Sequence, residues 1–351
     1  MKSKSVGILA VVTVVAVVAA AVAIWFRPGV DTLSGDDAPA FPLVRNQPDA
    51  VARITIADAE GRFSLVRDGA GHWGVEDRDG FPADTAKVRA LVAGMADMRL
   101  TEAKTARPDR FHRLEVEDLD TPGAKSRRIR VSAADGRMLA DVLVGRRAYG
   151  VTGGREAGTY LRRAGDRHAW LAGGTLDVDA AAGAWLRREV VDISPDQVSR
   201  VSVAPAEGES YAASREAPDQ DLRLDSLPEG RAARPQDVRR LASLLSRIEL
   251  MDVARAEAIP LPEDAASVTV ETFAGLRVGY RLAAIDDLPW AVFTAEVGPD
   301  ADPAARDAAR EIAGRVDGWV FRMHRSVANQ MAPPLQSLLE PAGAGEDPAT
   351  N

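Results

Sequence analysis

Residues Val6 to Phe26, VGILAVVTVVAVVAAAVAIWF, form an apolar run of 21 residues without a charge. At helical rise this is about 31 Å, enough to cross the roughly 30 Å hydrocarbon core of a bilayer. Lys2 and Lys4 precede it, Trp25 and Phe26 suit the far interface, and Arg27 follows. The positive-inside rule then predicts a cytoplasmic amino terminus, with everything after Arg27 outside. A cleaved signal peptide competes with this reading, because Ala21-Val22-Ala23 makes an acceptable cleavage site. The run continues through Ile24-Trp25-Phe26, further than a signal peptide needs, which favours an uncleaved single-pass anchor.

Anchor and flanks divide the chain into a cytoplasmic terminus 1–5, a transmembrane helix 6–26 and a flexible spacer 27–42 rich in Pro, Gly and Asp. Two halves, 43–194 and 195–340, then lead to a disordered tail at 341–351. The net charge is −8, and setting aside Lys2, Lys4 and Arg27 beside the anchor leaves 41 basic against 52 acidic residues, or −11, on the exported part. Such acidity speaks against nucleic acid as a partner. Zero cysteines exclude disulfides, thiolate metal sites and cysteine nucleophiles.

The pattern between spacer and tail repeats. Val51–Ile56 alternates as a strand, Gly61 sits in a turn, Phe63–Val66 returns, and His72-Trp73-Gly74-Val75 makes a third strand. A helix follows Asp84, with Val88, Leu91, Val92, Met95 and Met98 as its apolar stripe. The same order is expected from Ile129 through Trp185, from Val201 through a helix at Pro235 to Ile248, and from Val268 through a helix at Asp302-Pro303 to Val316. Arg53-Ile54-Thr55-Ile56 matches Arg200-Val201-Ser202-Val203 at an offset of 147, and Val88–Leu91 matches Val238–Leu241 at 150. The expected fold is therefore α+β, two related halves of repeated strand-strand-strand-helix units behind one transmembrane helix.

Chemistry-bearing motifs are sparse. His72, His112, His168 and His324 lie far apart and lack the spacing of a helical zinc site, so no metal is expected. Gly145-Arg-Arg-Ala-Tyr-Gly150 has the glycine spacing of half a phosphate-cradling loop. Val151-Thr152 stands where Lys-Ser or Lys-Thr is required, so a hairpin loop with Gly153 and Gly154 is expected instead. Gly208-Glu209-Ser210-Tyr211-Ala212 lacks the last glycine of a nucleophile elbow. Asp36-Asp37 and Asp286-Asp287 are adjacent, and adjacent carboxylates diverge on a strand. Arginine doublets at 127–128, 146–147, 162–163 and 187–188 are expected in surface ion pairs, and Trp73, Trp170, Trp185, Trp290 and Trp319 in the core. No catalytic or cofactor residue is assigned.

The order Phe41-Pro42-Leu43, Ile54-Thr55-Ile56, His72-Trp73-Gly74-Val75, Gly80-Phe81-Pro82-Ala83-Asp84, Leu100–Thr105, Tyr160-Leu161-Arg162, Trp185–Arg188 and Gly318-Trp319-Val320-Phe321 resembles the bacterial domain-of-unknown-function family 4340. That resemblance implies a protein of the bacterial inner membrane with its main domain in the periplasm. It also implies an accessory role beside an ABC permease and a gliding-motility-like auxiliary subunit, with no catalysis and no cofactor. Two alternatives stay open: a glycan- or solute-binding module with a cleft between the halves, and a periplasmic hydrolase.

Overall fold

The structure is a computed structural model that describes residues 34–149 and 158–341. The run Val6–Phe26 and its flanks Lys2, Lys4, Trp25, Phe26 and Arg27 lie outside the described residues, as do 342–351. Among the described residues, no helix is long and apolar enough to cross a membrane. Part of the expected spacer is ordered: Ser34–Pro39 is a strand, β1, and Pro42–Asn46 a short helix, α1.

In chain order there follow β2 (Val51–Ala57), β3 (Arg62–Arg67), β4 (Trp73–Val75), β5 (Phe81–Pro82), helix α2 (Thr85–Asp97) and β6 (Arg99–Thr105). Next come β7 (Arg127–Ala133), β8 (Met138–Ala148), β9 (Gly158–Arg163), β10 (Ala169–Gly173), β11 (Glu189–Val191), β12 (Val198–Ala204), β13 (Tyr211–Ser214) and β14 (Arg223–Leu224). The rest comprises α3 (Pro235–Arg240), β15 (Ile248–Glu249), β16 (Asp252–Arg255), β17 (Ala266–Thr272), β18 (Leu276–Ile285), β19 (Leu288–Val297), α4 (Pro303–Val316), β20 (Trp319–Arg322) and α5 (Arg325–Met331).

Two compact units emerge. The first holds residues 34–67 and 86–180, and the second holds 68–85 and 181–341. A single boundary at 194/195 does not describe this division, because the β4–β5 hairpin belongs to the second unit. There Phe81, 1 % exposed, meets the rings of Trp319 at 5.0 Å and Phe321 at 6.0 Å. Ala83 bridges Leu186, and Asp84 N–H donates to the Trp185 carbonyl at 2.7 Å.

In the first unit the strands run β1-β6-β10-β9-β8-β7-β2-β3, and in the second β14-β13-β12-β17-β18-β19-β20-β16. The pairings within each are antiparallel. The series β3-β2-β7-β8-β9-β10-β6 and β13-β12-β17-β18-β19-β20-β16 follow one connectivity. β2 and β12 illustrate its local cause. Each follows a 3-10 turn opened by a proline, Pro48 or Pro195, and each puts alternate residues inward, Ile54 and Ile56 or Val201 and Val203.

The expected α+β fold of repeated strand-strand-strand-helix units is overturned for the described residues. Strands hold 38 % and helices 24 % of the described residues, in three antiparallel sheets. The helix expected near Trp185 is a 3-10 turn, Ala182–Trp185. The helix expected from Pro235 to Ile248 stops at Arg240, passes through a 3-10 turn at Leu241–Ser243 and gives way to strand β15. Long-range bonds outcompete helix propagation there. Arg247 takes a left-handed φ of 49° and donates its N–H to Asp192 Oδ1 at 2.8 Å, while Ile193 N–H donates to the Leu245 carbonyl at 2.9 Å.

Two long helices do form. α2 buries Val88, Leu91 and Met95, and α4 buries Ala305, Ala309, Ile312 and Val316. Asp302 caps α4, its carboxylate accepting from Ala305 N–H at 2.7 Å, with Pro303 at the first helical position. Asp302→Ala is therefore expected to cost about 1 kcal/mol of stability, read as a lower denaturant midpoint at unchanged slope. Behind the second sheet, the Tyr211 and Tyr280 hydroxyls donate to the Pro333 and Met331 carbonyls at 2.7 and 2.5 Å. Burial pushes both phenols well above their ordinary range, so these donors keep their protons.

Candidate functional site

In the first unit, β8 pairs regularly with β7 from Ala140 to Val144, with Ile129 opposite Val142 and Arg127 opposite Val144. Against β9 the register then slips: Val144 pairs with Leu161, but Arg147 pairs with Thr159. Three steps on one strand answer two on the other, which is a β-bulge at Gly145-Arg146. The extra residue breaks the inside–outside alternation, so Arg146 and Arg147 are both exposed in succession.

Glycine makes this bulge possible. A Cβ on Gly145 would lie 2.1 Å from the Leu114 carbonyl oxygen and 2.9 Å from that of Glu115. Arg146 N–H donates to the same Leu114 carbonyl at 3.1 Å. Glu115 itself stands at φ 58°, a left-handed conformation that a non-glycine residue holds only when its surroundings impose it. Beneath lies a small separate core of Phe111, Val116 and Ala169, with Leu114 and Tyr160 against it. Arg162 seals it, stacked 4.7 Å above Phe111 and donating to the Val116 carbonyl at 3.0 Å and to Asp118 at 2.6 Å.

Over this base opens a cleft of about 430 Å³ lined by Lys125, Arg127, Arg146, Arg147, Tyr149, Glu115 and Asp177, with Val144, Gly145 and Leu176 as its apolar part. Four cations thus face two carboxylates on a chain whose net charge is −8. Arg147 pairs with Asp177 at 3.2 Å, but the Asp177 side chain is 83 % exposed, so the pair is weak and exchangeable. Arg146 sits over the Tyr160 ring at 5.5 Å. Among the described residues, Lys125, Arg127 and Arg146 have no carboxylate within ion-pair distance. Tyr149, 77 % exposed, stands at the lip.

The cations of a second cleft are already paired. A cleft of about 470 Å³ in the second unit contains Arg215, Arg239 and Arg240. Arg215 spends its guanidinium on the carbonyls of Val198, Pro218, Gln220 and Pro195, while Arg239 pairs with Asp221 and Arg240 with Asp237. The Asp252 carboxylate receives Arg78 through two bonds of 2.6 and 3.0 Å, and these hold the Arg78 guanidinium above its ordinary range.

The structure scatters the remaining sequence candidates. His72 pairs with Asp68 on the surface, His112 is exposed in a 3-10 turn, His168 lies beside Trp170, and His324 caps α5 by accepting from Ser326 N–H at 3.2 Å. Among the described residues, no group of three His, Asp or Glu side chains is placed to hold a metal. Ser210 is exposed just ahead of β13, and Asp286-Asp287 form the two-residue turn of the β18–β19 hairpin, both at positive φ. Gly145 is part of strand β8 and not of a hairpin loop, while Gly150, Gly153 and Gly154 lie outside the described residues. Trp73, Trp170, Trp185 and Trp290 are buried, and Trp319 lies beneath Arg255 at 3.9 Å. The sequence singled out Gly145, Arg146 and Arg147, but not their convergence with Lys125 and Arg127. That depends on the register of β7 with β8 and on the bulge.

A family described as Domain of unknown function (DUF4340) matches residues 73–268. No curated protein and no solved structure matches the chain.

Proposed function

The chain belongs to the DUF4340 family, and from that membership we propose that it is a membrane-tethered, extracytoplasmic accessory subunit of an ABC-type export complex. It acts by binding and not by catalysis. The observation that carries the binding reading is the cluster of Arg127, Arg146, Arg147 and the 77 %-exposed Tyr149, because arginine and tyrosine dominate binding hot spots. The tether is supported by the uncharged run Val6–Phe26 behind Lys2 and Lys4. Held to the outer side of the inner membrane, the domain has a raised effective concentration beside a permease, and the segment after Arg27 sets its reach.

Affinity purification of the full chain at native expression, from membranes solubilised in mild detergents, tests the assignment. A permease and its auxiliary subunit are expected to co-purify. Recovery of the chain alone in every detergent would remove the export-complex reading. A carboxyl-terminal reporter active only in the cytoplasm would remove the extracytoplasmic one.

A further inference from the structure

We propose that the cleft over the β8 bulge binds the phosphate group of a small polar molecule. The inference rests on reading this chain as a binding subunit, but it does not need the export partner. Among the described residues, Lys125, Arg127 and Arg146 converge there with no carboxylate within ion-pair distance, and Arg147 is only weakly held by exposed Asp177. Three such cations exceed what one carboxylate satisfies. A phosphate monoester offers about −1.5 to −2 charge and three strong acceptor oxygens. Arginine forks match that geometry in pairs of parallel bonds, and lysine adds a point charge.

Two features argue for a built site and against a chance gathering of surface charge. The bulge aims Arg146 and Arg147 to the outside in succession, and it exists only because Gly145 lets the Leu114 and Glu115 carbonyls approach. Strained Glu115 and buried Arg162 then fix the wall against the Phe111–Val116 core. A volume of about 430 Å³ is that of a small-molecule site. Glu115 and Asp177 at its rim are acceptors for hydroxyl groups on the rest of the ligand. This cleft is no phosphate-cradling glycine loop, since its side chains and not a row of backbone N–H groups would hold the anion.

The phosphate monoester has two sources, a free phosphomonoester or the headgroup of phosphatidic acid. The test uses the full chain in phosphatidylcholine nanodiscs, titrated calorimetrically with glycerol 3-phosphate and with inorganic phosphate. Saturable binding that weakens with added salt is expected, and Arg127→Gln and Arg146→Gln should each weaken it about tenfold. Arg239→Gln, in the second unit, should leave it unchanged. Repeating the titration in nanodiscs that contain phosphatidic acid separates the sources. A headgroup ligand competes and abolishes the signal, whereas a soluble ligand binds as before. Absence of heat in phosphatidylcholine nanodiscs at millimolar ligand, or equal binding by wild type and both arginine variants at unchanged melting temperature, overturns the proposal. Phosphate binding without a co-purifying permease would leave this site standing and remove only the export role.

Discussion

Replacing Phe321 with alanine is expected to lower the unfolding free energy by about 3–5 kcal/mol, the range for a large aromatic removed from a core that cannot collapse around the void. Phe321 is fully buried in β20, opposite Val253 on one side and Ala291 on the other. Its ring touches Phe81 at 6.0 Å and Phe293 at 5.9 Å, and Phe293 in turn meets Tyr280 at 5.5 Å. This chain of edge-on and tilted rings ties β20 to the β18–β19 hairpin and to β5, the element that residues 68–85 bring into the second unit. Phe81→Ala should cost a similar amount, and the double variant less than the sum, because the two share one contact. Denaturant unfolding measures all three, and hydrogen exchange should show the amides of Trp73–Ala83 losing protection first. A loss below about 1 kcal/mol for Phe321→Ala would mean that this ring chain does not hold the segment.

Gly145→Ala is the second large effect, and it comes from adding a single methyl group. The new carbon meets a backbone oxygen at 2.1 Å and Val116 Cγ1 at 2.7 Å, and the carbonyl cannot rotate away without giving up Arg146 N–H. Overpacking of this kind costs about 1–3 kcal/mol. Phosphate binding should fall with it, because the bulge carries Arg146 and Arg147. Gly61→Ala is the matched control: nothing lies within 4 Å of its added Cβ, so the change should stay within about 0.5 kcal/mol. If both variants melt alike, the close approach of β8 to the Leu114–Glu115 segment is not what shapes the cleft.

Some of this was legible from local pattern. The alternation in Val51–Ala57 and Val198–Ala204 is the alternation observed, and Asp302-Pro303 opens a helix as capping chemistry demands. The helix from Pro235 is shorter than its apolar spacing predicts. The stripe Val238, Leu241, Leu245 and Ile248 is buried throughout, but a buried stripe does not require one continuous helix. After Arg240 the chain satisfies its backbone through the 192–193 segment instead, a choice that no window of 18 residues contains. The arginine doublets show the same limit. Arg162 and Arg163 are neighbours on one strand, and the first is buried against the Val116 carbonyl while the second reaches Asp166 in a turn.

By itself, the sequence determined what depends on near neighbours: strand alternation, the start of α4 and the absence of thiol chemistry. Tertiary structure decided which charges are spent and which are left over. Arg78 finds Asp252 across 174 positions, whereas Lys125, Arg127 and Arg146 come together around a register slip with no carboxylate of the described residues within ion-pair distance. Periodicity reports burial because burial repeats with the backbone. Charge neutralisation has no period, and is set by whichever distant residues the fold brings within a few ångströms.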